Sequence, residues 1–110
     1  MLARAQFAEL AQAEFDAAVE YHQVEANMGA AFGREVRRVI ELAMEFPDSG
    51  TLVRQRRVRW PIRKFRLNPD FPYDVGAMIV EEQDLLVVLA VAHHKRRPGY
   101  WISRAAQAVR

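Results

Sequence analysis

Cysteine is absent from this chain of 110 residues. That absence excludes disulfide bonds, thiolate metal sites and a cysteine nucleophile, and it suits a reducing compartment. Long apolar runs are also missing, because the longest, Leu85–Ala92, has eight residues, whereas a membrane-spanning helix needs about 20. The first residues lack the apolar stretch of a signal peptide. We therefore expect a soluble, cytoplasmic protein that has no membrane partner.

Motifs of several common enzyme classes are missing as well. The chain has five glycines, but it has no glycine-rich loop that would cradle a phosphate, no paired carboxylates and no serine-nucleophile motif. The sequence therefore gives no support for a nucleotide hydrolase, a glycosidase or a serine hydrolase. His22 is remote in sequence from His93 and His94, and no acid flanks that pair at metal-ligand spacing. We predict neither a metal site nor a cofactor.

The net charge of +2 hides two halves of opposite charge. Residues 1–50 carry nine acids and four arginines, a balance of −5, whereas residues 51–110 carry twelve basic and five acidic residues, a balance of +7. This split predicts a polyanionic or acidic partner for the second half. The alternative is that the two halves complement one another within the folded domain.

The first half of the chain has helical periodicity after a short predicted strand, Ala3–Phe7. In the first helix the acids Glu9, Glu14, Asp16 and Glu20 are expected in solvent, and the expected buried positions are Ala11, Phe15, Ala18, Val19 and His22. A turn at Asn27–Gly29 leads to a second helix, which ends near Phe46 because Pro47 disfavours helix in the residue before it. Its expected buried positions are Phe32, Val36, Val39, Ile40 and Ala43. The short link predicts an antiparallel helical hairpin.

The second half has strand-like patterns. Strands are predicted for Thr51–Arg59, Pro61–Leu67, Phe71–Glu81 and Leu85–Ala92. The elements therefore follow the order strand, helix, helix and then three or four strands. This order predicts one domain over residues 1–110, of α+β class and β-α-α-β-β-β order, with the helical hairpin packed on one face of a mainly antiparallel sheet.

Seven basic residues and no acid lie between Thr51 and Arg66. Arginine dominates, and its planar guanidinium binds phosphates and carboxylates through two hydrogen bonds at once. This favours a positively charged surface for nucleic acid or for the acidic segment of a protein partner. The alternative is a strand that its arginines merely keep soluble. The seven residues are Arg54, Arg56, Arg57, Arg59, Arg63, Lys64 and Arg66.

The apolar run ends in the sequence His93-His94-Lys95-Arg96-Arg97-Pro98-Gly99-Tyr100-Trp101. A histidine beside cations has its neutral form favoured, which is the form a general base needs. The alternative is that either histidine packs against the strand end or caps it. Tyr100 and Trp101 suit stacking on a base or anchoring a protein partner, or else they cover the core. Tyr73 is likewise either a core residue or part of the basic face.

Short motifs in a fixed order run along most of the chain. They are Phe7, Ala13-Glu14-Phe15, Ala18-Val19-Glu20-Tyr21, Gly29, Phe32, Glu35-Val36, Phe46-Pro47, Phe71-Pro72-Tyr73, Val88–His93 and Arg96-Arg97-Pro98-Gly99-Tyr100-Trp101. Their order and spacing resemble the RelE/ParE superfamily of bacterial toxin–antitoxin modules. The resemblance implies the β-α-α-β-β-β fold and a cytoplasmic toxin that is neutralised by a cognate antitoxin encoded beside it. For that antitoxin we predict an acidic, amphipathic C-terminal segment that lies against the basic half.

The resemblance leaves two mechanisms open. RelE-like members cut messenger RNA on the ribosome, and in such a toxin His93 or His94 would act as acid or base. Arg96 and Arg97 would stabilise the phosphate transition state, and Tyr100 would stack or donate a proton. ParE-like members instead bind and inhibit DNA gyrase and need no catalytic residues.

The ending from His93 to Trp101 is more similar to the ParE-type, plasmid-stabilisation branch, so we expect a gyrase inhibitor. The alternatives are a ribosome-dependent mRNA endonuclease and a degenerate, non-toxic homologue that still binds its antitoxin. Asp74 departs from the family pattern, and an acid beside an RNA site would repel phosphate if it faces the basic surface. Target or antitoxin binding is expected of Arg54, Arg56, Arg57, Arg59, Arg63, Lys64, Tyr73, Arg96, Arg97 and Trp101.

Overall fold

The computed structural model describes residues 1–108. Its elements are β1 (Arg4–Phe7), α1 (Glu9–Ala26), α2 (Gly29–Glu45), β2 (Thr51–Val53), β3 (Ile62–Arg66), β4 (Tyr73–Val80), β5 (Leu85–His93) and α3 (Ala105–Ala108). The strands form one sheet in the order β1-β5-β4-β3-β2, in which β1 is parallel to β5 and every other pair is antiparallel. This confirms the predicted α+β class with two helices on a mainly antiparallel sheet. In this part of the chain four strands follow the hairpin, because the short β2 adds an outer strand.

The two helices form where the periodicity predicts them. α2 buries all five expected positions, and it ends at Glu45, just before Pro47. The link between the helices is tight. Asn27 has a left-handed backbone with φ of 56°, and a Cβ on Gly29 would lie 2.8 Å from the Cβ of Gln23. Neither α1, α2 nor α3 is long and apolar enough to cross a membrane.

The predicted strand Thr51–Arg59 is wrong beyond Val53, where the chain turns into a loop. The side chain of Gln55 organises this loop. Its Oε1 accepts hydrogen bonds from the backbone N–H groups of Arg57, at 2.8 Å, and Val58, at 3.0 Å. Because a side chain now satisfies these backbone groups locally, they do not pair with a neighbouring strand and β2 stops.

Both faces of the sheet are covered. One face packs against α1 and α2, through side chains that include Val75 and Val88. The opposite face carries Met78 and Leu89, and the C-terminal segment, residues 98–108, lies over it. β4 and β5 are therefore buried on both sides, which is why the sequence of β5 is a continuous apolar run.

Trp101 holds the C-terminal segment against the sheet and is only 2% exposed. Its ring lies directly over Gly76 of β4, so that a Cβ on Gly76 would be 2.5 to 2.8 Å from three ring atoms. The register between β4 and β5 shifts at Gly76/Ala77, which leaves Leu89 as an extra residue in β5. The missing side chain of Gly76 thus provides the space in which the indole ring packs.

Replacing Gly76 by alanine is expected to lower the free energy of unfolding by about 1–3 kcal/mol, the usual cost of overpacking a core. The new methyl group would overlap the ring of Trp101. Guanidinium unfolding measures the effect. Gly33→Ala is the matched control, because its Cβ would lie 3.8 Å from Cζ of Phe15, an ordinary contact. An unchanged unfolding free energy for Gly76→Ala would contradict this packing.

Candidate functional site

One face of the molecule collects a group of cations. The loop after β2 and the loop after β5 meet beside the C-terminal segment, and two side chains of β3 join them there. Two adjoining grooves in this region share Arg97, Gly99 and Tyr100, so the cations form one continuous area. We call it the basic surface, and its members are Arg54, Arg56, Arg57, Lys64, Arg66, Arg96 and Arg97.

The first groove, the histidine groove, has a volume of about 310 Å³ and lies at the end of β5. Lys64, Arg66 and Asp74 line it. All the residues predicted to catalyse RNA cleavage line it too, namely His93, His94, Arg96, Arg97 and Tyr100. The structure therefore brings the predicted catalytic residues together, and their contacts decide what each can do.

His93 is engaged by its neighbours on both strands. Its ring packs edge-on against that of Tyr73, with centroids 4.9 Å apart, and its Nδ1 accepts a hydrogen bond from the backbone N–H of Lys95 at 3.0 Å. Burial lowers the pKa of His93, and the charge of Lys95 lowers it further. Because Nδ1 is an acceptor, the neutral ring carries its proton on Nε2, and neither nitrogen is a free base.

Tyr73 lies under α1 and does not reach the basic surface. It is 7% exposed, and its hydroxyl shares a hydrogen bond of 3.0 Å with Nε2 of His22. The ring of His22 stacks on Phe32, with centroids 4.8 Å apart. Burial lowers the pKa of His22 and raises the pKa of Tyr73. Tyr73 is therefore a core residue, which is one of the two alternatives that the sequence left open for it.

Asp74 faces the basic surface and lines the histidine groove. Its Oδ1 lies 3.0 Å from Nε2 of His94 and 3.8 Å from Nε of Arg66. The carboxylate offsets part of the positive charge of this groove. It also orients the ring of His94, because Nε2 is the nitrogen that meets the carboxylate.

The hydroxyl of Tyr100 is directed to Glu14 of α1, to which it donates a hydrogen bond of 2.5 Å. Burial, together with the hydrogen bond and charge of Glu14, raises the pKa of Tyr100 to about 12. The guanidinium carbons of Arg96 and Arg104 lie 4.0 Å and 5.3 Å from the centroid of its ring. Tyr100 therefore keeps its proton near neutral pH, and arginines already stack on its ring.

Glu14 connects α1, β5 and the C-terminal segment. Its carboxylate accepts hydrogen bonds from Arg104, at 2.9 and 3.1 Å, and from the backbone N–H of Val91, at 3.2 Å, while Arg104 donates to the carbonyl of Leu89 at 3.0 Å. β1 pairs with β5 only as far as Val88, so Glu14 and Arg104 satisfy the edge beyond it. The expectation that Glu14 lies in solvent is wrong, because its side chain is only 17% exposed.

Arg59 and Arg63 lie outside the basic surface, and Trp101 lines the histidine groove but is only 2% exposed. Arg59 forms a salt bridge of 2.7 Å with Glu82, near the turn between β4 and β5. Arg63 is half-buried and donates a hydrogen bond of 2.8 Å to the carbonyl of Gly50. Trp101 covers the core, which is the alternative to a binding role that the sequence left open. Binding roles for these residues stay predictions that this arrangement does not favour.

Sequence reasoning missed Glu14, Gln55 and Arg104. A signal for Glu14 exists, because it lies three residues after Ala11 and four before Ala18, on the inward stripe of α1, where an acid needs a partner. Gln55 acts on the backbone of its own loop, whereas Arg104 acts on the carbonyl of Leu89, which only the folded chain brings near it. Between residues 1 and 108, no cluster of three or more metal-ligating side chains could hold a metal ion.

Replacing Glu14 by glutamine is expected to lower the free energy of unfolding by about 2 kcal/mol, less than the roughly 3–5 kcal/mol seen for a fully buried ion pair. The change leaves Arg104 without its carboxylate, and it lowers the pKa of Tyr100 from about 12 toward the ordinary tyrosine value. Guanidinium unfolding and ultraviolet titration of tyrosine measure the two effects. Asp16→Asn, on the exposed side of the same helix, is the control. Unchanged values in both measurements would contradict the network.

Comparisons with known proteins agree with this fold. A chain from the "Chromosomal ParDE TA system from P. aeruginosa" superposes with a TM-score of 0.64 at 13% sequence identity, covering 84% of this chain and 96% of that chain. No curated protein matches the chain in sequence. The family model described as "ParE toxin of type II toxin-antitoxin system, parDE" matches residues 5–98. The chain therefore belongs to the ParE toxin family of type II toxin–antitoxin systems.

Proposed function

We propose that this toxin inhibits DNA gyrase by binding it, and that a cognate antitoxin neutralises the toxin by covering its basic surface. The observation that carries this proposal is a contrast at the site between the groups that could transfer a proton and the cations. The proton-transfer groups Tyr100 and His93 are held by intramolecular partners, whereas the cations of the basic surface extend well beyond the histidine groove. Membership in the ParE family supports the same function.

A binding function needs complementary charge and exposed anchor groups rather than a proton donor. Arg54, Arg56, Arg57 and Arg97 are exposed. RNA cleavage needs an acid that releases its proton near neutral pH. Tyr100, whose pKa is raised to about 12 by burial and by Glu14, is poorly suited to that role.

RNA cleavage is the second candidate, and one contact favours it. Asp74 meets Nε2 of His94, which leaves Nδ1 as the acceptor nitrogen of the neutral ring. A histidine oriented in this way by a carboxylate resembles a general base. Arg96 and Arg97 line the same groove and would neutralise a phosphate. In this candidate His94 supplies a base and the arginines supply positive charge, but Tyr100 is poorly placed to act as the acid.

We expect purified toxin to inhibit DNA supercoiling by gyrase and to leave ribosome-bound messenger RNA intact. Supercoiling of a relaxed plasmid and primer extension on translated message measure the two activities with one protein preparation. Message cleavage with normal supercoiling would select the endonuclease instead. If the purified protein is inactive in both assays but still binds the antitoxin when it is added separately, the protein is the non-toxic homologue.

An apolar groove next to the basic surface supports the predicted mode of antitoxin binding. It has a volume of about 260 Å³ and is lined by Leu52, Val53 and Ile102 together with Lys64. Leu52 is 55% exposed. An amphipathic acidic segment would place apolar side chains in this groove and its carboxylates on the neighbouring cations.

Replacing both Arg56 and Arg57 by glutamate is expected to weaken the antitoxin complex by about 10-fold or more, since reversed charges on a surface repel an acidic partner. Isothermal titration calorimetry with the antitoxin encoded beside the toxin measures the change. Replacing Arg34 and Arg37 by glutamate is the matched control, because both are exposed on α2. Unchanged affinity for the first pair would place the antitoxin elsewhere.

A further inference from the structure

The second groove of the basic surface is a cavity walled by four arginines. It has a volume of about 330 Å³, and Arg54, Arg56, Arg57 and Arg97 line it together with Gly99 and Ser103. No acidic side chain of residues 1–108 lines it. In the same part of the chain, none of the four arginines forms a salt bridge, whereas Asp74 pairs with His94 and Arg66, and Glu82 pairs with Arg59. We call it the arginine cavity.

The loop that carries three of these arginines is held in place before any partner binds. The amide of Gln55 makes four hydrogen bonds to the backbone of its own loop. It accepts from the N–H groups of Arg57 and Val58, and its Nε2 donates to the carbonyls of Val58, at 3.0 Å, and Trp60, at 3.3 Å. A side chain that fixes the backbone at so many points reduces the entropy lost when the arginines bind an anion.

The grouping of four like charges around one concavity points to an anionic ligand. Like charges repel, so the arrangement is unfavourable in the free protein and is relieved when an anion enters. Guanidinium groups match the oxygens of a phosphate through two parallel hydrogen bonds. Arg97 also lines the histidine groove, so an extended polyanion can run from one groove into the other.

The aromatic residues near the basic surface distinguish between kinds of nucleic acid. Proteins that bind single strands stack the bases on open aromatic rings. Here the ring of Tyr100 is stacked against Arg96, that of Trp60 against Arg59, and Trp101 is buried. A surface with cations but no open ring in the described residues suits the phosphate backbone of a duplex, which needs no base contact.

We infer that the arginine cavity binds the phosphate backbone of duplex DNA, without sequence preference. The inference rests on the proposed function, because gyrase holds the duplex on which it acts, and it assigns the toxin a contact to that DNA in addition to the enzyme. It also accounts for neutralisation, since an acidic antitoxin segment on the basic surface excludes the duplex by occupying the same cations.

The test is fluorescence anisotropy with full-length toxin, freed of antitoxin, and a labelled 20-base-pair duplex of arbitrary sequence, over a range of salt concentrations. Four phosphate contacts predict a log–log salt slope near −3.6, so affinity falls on the order of 100-fold between 50 and 200 mM salt. Arg56→Ala should reduce the steepness of the slope by about 0.9. Arg37→Ala on α2 removes the same charge and should leave the slope unchanged.

Three results would overturn the inference. They are no binding of the duplex at 50 mM salt, tighter binding of a single-stranded RNA of the same length, and equal effects of Arg56→Ala and Arg37→Ala. A supercoiling assay separates this inference from the proposed function. Toxin that inhibits gyrase but does not bind duplex DNA overturns the inference alone, and toxin that binds duplex DNA but leaves supercoiling normal overturns the proposed function alone.

Discussion

The carboxylate of Glu14 is the contact on which the arrangement of the basic surface depends. It reaches from α1 to the edge of β5 that β1 leaves unpaired, and there it meets Val91, Tyr100 and Arg104. Through Tyr100 and Arg104 it fixes the C-terminal segment. The packing of Trp101 over Gly76 also holds this segment against the sheet. The loop after β5 is thus held at both ends, by the strand before it and by this network after it.

The same network supports the proposal that the toxin acts by binding rather than by catalysis. It uses the hydroxyl of Tyr100, which lines the histidine groove, to hold the fold together. Tyr73 and His93 are likewise packed into the junction between α1 and the sheet. The arginines on the loop after β2 do not hold the fold together in this way. Gln55 orders the backbone of the loop that carries Arg54, Arg56 and Arg57. These three residues are exposed, as recognition of a charged partner requires.

The parts of the fold that local patterns determine could be predicted from the sequence. The apolar stripe of α2, its end before Pro47 and the apolar run of β5 are of this kind. The contacts of Gln55 that end β2 are local, but the pattern of residues did not reveal them. The partner of Glu14 could not be predicted, because only the folded chain brings the two residues together. Glu14 and Arg104 are 90 residues apart in sequence. The basic loops were visible in the sequence, but which arginines are free and which are paired was not.

A toxin that acts by binding differs from an enzymatic toxin in one respect: proton transfer at the histidine groove is dispensable, and the exposed arginines are not. Inhibition of gyrase supercoiling by His94→Gln tests this most directly, because the change removes the histidine that Asp74 orients as a base and leaves the hydrogen bond between Tyr100 and Glu14 in place. We expect this variant to inhibit gyrase as strongly as the unaltered toxin does, and we expect the double variant Arg54→Glu/Arg97→Glu to lose inhibition. Loss of inhibition in the first variant with retention in the second would contradict an action by binding.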